Sequence, residues 1–188
     1  MPPFDAKTTA LVLIDLQRGI VGSQLQPRGG AEVVVASKAL AERFRAAGGT
    51  VVLVNVTWAK DYRDWPNHAV DSPTIRPEGG MPAGADQLVD GLQQAGDLTV
   101  TKRNWGAFHG TDLDLLLRRR GIKTIVLGGI ATNFGVESTA RNAWELNYAL
   151  VIAEDCCASM SKELHDMAVK SIFPRISRVM QSGDIAFA

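Results

Sequence analysis

A three-layer α/β sandwich, with helices on both faces of a six-stranded and mainly parallel sheet, is the fold that this sequence predicts. Three observations carry it. Short, almost wholly apolar runs occur in the manner of strands covered on both faces; they alternate with segments of helical periodicity over the whole length; and 188 residues suit one domain large enough to bury a real core. Residues 8–14 (TTALVLI) form the first and central strand and stop at Asp15. Residues 31–47 read as a helix, because Val34, Ala41 and Phe44 recur with neighbouring alanines at three- and four-residue intervals, and Gly48-Gly49 is a stop that tolerates the left-handed conformation. A second buried strand follows at 50–56 (TVVLVNV). After a long polar passage the alternation resumes with strand 98–101, helix 111–120, strand 124–127, helix 133–146, strand 149–153, helix 161–173 and strand 177–180. Thr111 is a suitable cap for the helix it opens, and Asp112 and Asp114 lie near that helix's positive end.

Composition removes several classes of function. Twenty basic side chains balance twenty acidic ones, so no basic field is available to neutralise phosphates, and neither nucleic acid nor an anionic membrane surface is expected as a partner. The longest apolar runs, 10–14 and 124–131, fall far short of the ~18 residues that a membrane-crossing helix needs. No basic-then-apolar leader is visible, and the only two cysteines, Cys156 and Cys157, are adjacent, where a disulfide closes a strained ring. Free thiols in a reducing compartment, and hence a cytoplasmic protein, are expected. No repeat, low-complexity tract or linker divides the chain, so residues 1–188 are expected as one domain. The stretch 58–85, with Pro66, Pro73, Pro77 and Pro82, is too long and too aromatic for a passive connector. It is expected to cover a site, alone or with a neighbouring subunit.

In an open parallel sheet, ligands bind beyond the carboxyl ends of the strands. Asp15 ends the first strand in LVLIDLQ, Lys102 follows the third in TVTKRNWGAF, and Thr132, Asn133 and Gly135 follow the fourth in LGGIATNFGVESTAR. A carboxylate at the end of a buried strand is costly unless paired, and Lys102 is a natural partner for it. Such a pair reads equally as structural or as catalytic, and spacing alone does not choose between the two.

These segments, LVLIDLQ with its early Asp, K-x-x-W-G-A-F-x-G-T-D-L-D and GGIATNFGVESTARNAWE, resemble the isochorismatase-like hydrolase superfamily, also called the cysteine hydrolases, over about residues 9–159. The resemblance implies a parallel six-stranded sheet, assembly into homo-oligomers (dimers, tetramers or larger), and an Asp-Lys-Cys triad that hydrolyses amide bonds through a covalent intermediate. Asp15 and Lys102 fall on two triad positions. The third departs. Members with a working thiol read A-T-N-x-C-V-E, whereas this chain reads Ala131-Thr132-Asn133-Phe134-Gly135-Val136-Glu137, with Gly135 in the nucleophile's place. The same replacement is a feature of the true isochorismatases, which hydrolyse a vinyl ether with no covalent intermediate. The resemblance therefore implies a subgroup in which Asp15 is general acid and base, protonating the enol ether before water adds to the oxocarbenium carbon, while Lys102 holds it and sets its proton affinity. It also implies a non-proline cis peptide at Ile130-Ala131 that aims the backbone N–H groups of Ala131 and Gly135 into the pocket as an oxyanion hole. Read without the resemblance, the glycines here serve a tight strand-to-helix turn.

The expected substrate-binding residues are Gln17, Trp58, Trp105, Phe108 and Asn133, with Trp58 and Trp105 at the carboxyl edge of the sheet and Trp65 a further wall. Trp144 is expected to pack under its helix. Cys156 and Cys157, read as lying just past the fifth strand, are expected to be inert, because Glu154 and Asp155 before them raise a thiol pKa. No metal is expected: His68 lies four residues after Asp64 with no second His nearby, and His109 and His165 are isolated, the latter on a helix that looks exposed. No cofactor is expected, since neither G-x-G-x-x-G after the first strand nor G-x-x-x-x-G-K-[ST] occurs. The expected function is hydrolysis of a small, carboxylated metabolite by Asp15 and Lys102 without a thiol, at a vinyl ether or a related C–O or C–N bond. The alternative is a catalytically silent homologue that binds a small molecule or serves as an oligomeric scaffold.

Overall fold

The structure is a computed structural model and describes residues 3–188. In chain order the elements are β1 (Thr9–Ile14), α1 (Arg18–Val21), α2 (Gly30–Ala46), β2 (Thr50–Val56), β3 (Leu98–Lys102), α3 (Leu113–Arg119) and β4 (Thr124–Ile130). A π-helical turn (Thr132–Val136) then runs into α4 (Glu137–Glu145), followed by β5 (Ala149–Ala158) and α5 (Lys162–Met167). A second π-helical turn (Ala168–Ile172), α6 (Phe173–Ile176), β6 (Arg178–Met180) and a 3₁₀ turn (Ser182–Asp184) complete the chain. The six strands are all parallel, in the order β3-β2-β1-β4-β5-β6. The order reverses between β1 and β4, and the crevice beyond their carboxyl ends is where sheets of this kind bind ligands.

β1 shows why three layers form. Every one of its residues is buried, and alternation sends Leu11 and Leu13 to one face and Ala10, Val12 and Ile14 to the other. On the first face they meet Leu40 and Phe44 of α2 together with Ile185 near the C-terminus; on the second they meet Leu113 and Leu117 of α3, Ala140 and Ala143 of α4 and Phe173 of α6. An all-parallel sheet needs such a cover on both sides. In α2 the inward stripe is Val33, Ser37, Leu40, Ala41 and Phe44, one residue off the expected Val34, because spacing back from Phe44 by four, three and four reaches position 33. The carboxylate of Glu32 accepts the Gly29 N–H at 2.8 Å to start this helix, and Gly48 at φ 72° stops it, with Gly49 N–H returned to the Phe44 carbonyl at 2.8 Å.

Several element boundaries differ from those expected. β4 runs on through Gly128 and Gly129 to Ile130, with a register shift against β5, so the glycines change the ladder without ending it. β5 continues to Ala158, through Glu154 and Asp155, because both acids have partners: Arg28 binds Glu154, and Ser182 donates to Asp155. Cys156 and Cys157 therefore lie inside β5, where Cys157 pairs with Gly129, and not past its end. The helix expected over 133–146 begins as a π-helical turn, and that over 161–173 is interrupted by another. Thr111 caps from outside, accepting the Leu113 N–H at 3.2 Å. Residues 57–97 hold no helix or strand beyond a bridge from Leu88 to Gln17. Among the described residues no helix is long and apolar enough to cross a membrane.

Candidate active site

Asp15 follows β1 at the mouth of the crevice with φ 54°, a region that non-glycine residues seldom occupy. Its N–H still bonds to Val54 of β2 at 2.9 Å and its carbonyl accepts the Gln17 N–H at 2.8 Å, so the chain is held on both sides while it turns out of the ladder. Lys102, the last residue of β3, reaches across the end of β2 to place Nζ 2.8 Å from Asp15 Oδ2 and 3.0 Å from the Asn104 carbonyl. The two side chains are only 8% and 2% exposed. Asp15 Oδ1 is buried without a hydrogen-bond partner. Burial raises the Asp15 pKa to about 6, against the charge and hydrogen bond of Lys102, which lower it. A carboxyl poised there exchanges protons near neutrality.

Facing Asp15 is the turn after β4. Gly129, at φ 123°, lies so close to β1 that a Cβ there would sit 2.1 Å from the Ile14 carbonyl oxygen; only glycine allows β4 this near the strand end that bears Asp15. The Ile130–Ala131 peptide is cis, as the resemblance implied. The Ala131 carbonyl accepts from both Phe134 N–H (3.1 Å) and Val136 N–H (3.2 Å), winding the chain into the π-helical turn. That turn brings Gly135 over the carboxylate. A Cβ at 135 would lie 3.4 Å from Asp15 Oδ2, 3.5 Å from the Trp105 carbonyl and 3.0 Å from Ile14 Cγ2. Thr139 ties the turn in place, its hydroxyl donating to the Gly135 carbonyl at 2.7 Å and accepting the Ala107 N–H at 3.1 Å.

The sequence motif of the isochorismatase domain matches residues 9–184 of this chain. The chain belongs to the isochorismatase family. It is 50% identical to the isochorismatase family protein YecD of Escherichia coli O157:H7 over 186 residues, covering 98% of each chain. It is 34% identical to the ureidoacrylate amidohydrolase RutB of Caulobacter vibrioides (strain ATCC 19089 / CIP 103742 / CB 15) over 175 residues, 81% of this chain and 78% of that one. The structure of an isochorismatase family protein from Burkholderia thailandensis superposes with a TM-score of 0.93 at 41% identity, covering 98% of this chain and 96% of that one. Members of this family are hydrolases, and the all-parallel α/β fold is theirs.

Around this isochorismatase-family centre the remaining expected residues fall into two groups. Asn133 lies in the turn, its Oδ1 accepting the Ser159 hydroxyl. Trp105 is 60% exposed and packs on Phe134 of the turn, ring centroids 4.8 Å apart. Trp58 packs against Trp65 with ring centroids 4.2 Å apart and planes inclined by 50°, and its indole N–H is buried without a partner. Gln17 instead serves the backbone: its amide donates to Val56 O (2.9 Å) and Asp86 O (3.0 Å) and accepts Val56 N–H (2.8 Å), which locks the ends of β1 and β2 to the long connection. Phe108 lies in the core on Tyr148, at 5.9 Å. Trp144 is 55% exposed and does not pack under α4, which buries Thr139, Ala140 and Ala143 and turns position 144 outward.

The two thiols are free and fully buried in β5. Burial first and the Asp155 charge second push Cys156 up to about 12, and burial holds Cys157 well above the ordinary thiol range. His165 is not on an exposed face: it is 1% exposed, with Nδ1 2.9 Å from Thr132 Oγ1 and Nε2 2.8 Å from Glu154 Oε1. Sequence reading missed this residue and its partners Glu154 and Arg28. A faint signal existed, since His165 and Ala168 stand one turn apart as the inward positions of an otherwise polar segment.

Proposed function

We propose that this chain hydrolyses a small, carboxylated metabolite by acid–base catalysis, Asp15 exchanging the protons and Lys102 holding it, with no thiol taking part. The observation that carries this reading is the state of Asp15: a buried carboxyl, one oxygen on Lys102 and the other without a partner, facing a residue that has no side chain. For a vinyl ether the steps balance as follows. Protonated Asp15 gives its proton to the terminal carbon, and the ether oxygen supplies electrons to form an oxocarbenium ion. The carboxylate then takes a proton from water as the water oxygen bonds to the oxocarbenium carbon, the one that bears the ether oxygen. The hemiketal collapses to an alcohol and a carbonyl compound, one water having been added. The space beside Asp15 that a thiol at position 135 would fill is where that water is proposed to stand. Backbone N–H groups of Ala131 and Gly135 are proposed to bind a substrate oxygen, with Trp58, Trp105 and Asn133 bordering the substrate. Gln17 and Phe108 act through the frame that holds these parts. The amidohydrolase relative RutB extends the candidate bonds to C–N. A homo-oligomer in the cytoplasm is the proposed setting.

The test is hydrolysis of isochorismate, nicotinamide, ureidoacrylate and simple N-carbamoyl amides by the purified chain and by Asp15→Asn. A rate on one compound that falls by about 100-fold or more in the variant supports the reading; a rate that survives the substitution removes Asp15 from the reaction. Gly135 alone favours the second reading, a binding protein without turnover, and silence across the panel would move the weight there. Gly135→Cys separates the two further. Only the Ile14 methyl at 3.0 Å has to give way to a Cβ, so the variant is expected to fold, and its thiol to enter beside Asp15 and hydrolyse an N-carbamoyl amide. A folded variant inert to every amide would show that the pocket no longer fits the family's chemistry.

A further inference from the structure

We propose that His165 is a positioning residue: held through Nε2 by Glu154, it accepts the Thr132 hydroxyl at Nδ1 and so fixes the turn that sets Gly135 over Asp15. This rests on the proposed use of Asp15 as acid and base. Thr132 opens the turn and lies three residues before Gly135, and both Thr132 and His165 are fully withdrawn from water, so no solvent molecule substitutes for either partner.

The chain of contacts behind His165 is anchored on three separate segments. Arg28 Nη2 donates to both Glu154 carboxylate oxygens, at 2.8 and 3.1 Å, and its Nη1 donates to the Glu154 carbonyl at 2.9 Å and to that of Cys157. Gln181 Nε2 adds a bond to Glu154 Oε2 at 3.0 Å. The hydrogen bond from His165, with those from Arg28 and Gln181, outweighs burial and lowers the Glu154 pKa to about 2. An ionised carboxylate can only accept, so Nε2 of His165 carries a proton. In the Nε2–H tautomer the Nδ1 that lies 2.9 Å from Thr132 Oγ1 is bare and accepts its hydroxyl. A second tie, from Ser159 just past the end of β5 to Asn133, holds the next residue of the turn. Asp15 lies beneath: its raised pKa comes from burial, and the turn is part of what buries it. Slack in the turn admits water to the carboxyl and lowers that pKa without touching Lys102.

The experiment follows the Asp15 carboxyl by ¹³C NMR through a pH titration of the whole chain, as wild type, Thr132→Val and Thr132→Ser, with the His165 imidazole nitrogens read by ¹⁵N NMR in parallel. In folded Thr132→Val the Asp15 midpoint is expected to fall more than halfway from about 6 towards 3.8, while Thr132→Ser, which keeps the hydroxyl, retains the wild-type midpoint. A purely structural role lowers the melting temperature of Thr132→Val and leaves the midpoint where it was; that result overturns the proposal. The imidazole spectrum is decisive on the wild-type chain even where a variant fails to fold. A proton on Nε2 with Nδ1 bare supports the proposal, and a proton on Nδ1, in either the other tautomer or the imidazolium, overturns it. A wild-type Asp15 midpoint near 3.8 defeats the functional reading instead, and the imidazole spectrum still decides the role of His165.

Discussion

Lys102 carries a charge that the fold has taken almost wholly out of water, and its value lies in what its removal would leave behind. Without it the Asp15 carboxylate is buried and uncompensated, a condition that costs about 3–5 kcal/mol in comparable broken pairs. Lys102→Met is therefore expected to lose stability on that scale in urea unfolding. It should also carry the Asp15 pKa above about 6, since both influences that lower it come from Lys102. A midpoint unchanged in the variant would show that Lys102 does not set the proton affinity of Asp15. The residues of this centre were legible to different degrees. Asp15 stands out because it closes an apolar run, where a charge needs a reason, and Lys102 because it ends a strand at the same edge of the sheet; Gly135 stands out only against the family's motif. His165 gave almost nothing away, because a histidine among Lys162, Glu163 and Asp166 looks like a solvated face. Its burial depends on Glu154, which the sequence had placed beyond the strand that in fact holds it.

At the scale of elements, the strand bodies were readable and their carboxyl ends were not. Residues 50–56 are strand as read, because the run is too short for a typical helix and is rich in β-branched side chains. β4 and β5 each continue past the point where apolar character fails, since backbone pairing needs neither a side chain at Gly128 and Gly129 nor an apolar one at Glu154 and Asp155 once those acids are bonded elsewhere. These unread extensions are what build the site: β4 carries the cis peptide and the turn, and β5 carries the network behind them. The close approach of β4 to β1 is its tightest point. Gly129→Ala would put a methyl 2.1 Å from the Ile14 carbonyl oxygen at a φ of 123° that alanine rarely adopts. A loss of more than about 4 kcal/mol is expected, because strand separation is the only relief. A melting curve within a few degrees of wild type would mean that the strands can part at little cost, and that the turn is not held at Asp15 by their contact.

Across the whole molecule, Asp15 and Glu154, the shifted carboxyls that the fold shields from water, give stability a pH profile with two limbs of opposite sign. The Asp15 pKa is raised, to about 6 from 3.8, so in the folded chain the group holds its proton over a range where the unfolded chain has released it. Its contribution is therefore a penalty that grows as pH rises from 3.8 to about 6 and is relieved on acidification through that window. At about 1.4 kcal/mol per pH unit, the penalty amounts to roughly 3 kcal/mol at neutrality. Glu154 works the other way. Its pKa is lowered, to about 2 from 4.5, so its stabilisation is present above 4.5 and disappears as pH falls towards 2. Taken together, these groups place their most favourable contribution near pH 4 to 4.5, below neutrality, with a shallow descent on the alkaline side and a second descent in acid. Urea unfolding across pH 2 to 8 measures both limbs. Asp15→Asn is expected to flatten the limb between 4 and 6 and leave the acid limb intact, and Glu154→Gln to do the reverse. An alkaline limb that persists in Asp15→Asn would mean that another group causes it, and that a charge held at position 15 is not what the fold gives up at neutral pH.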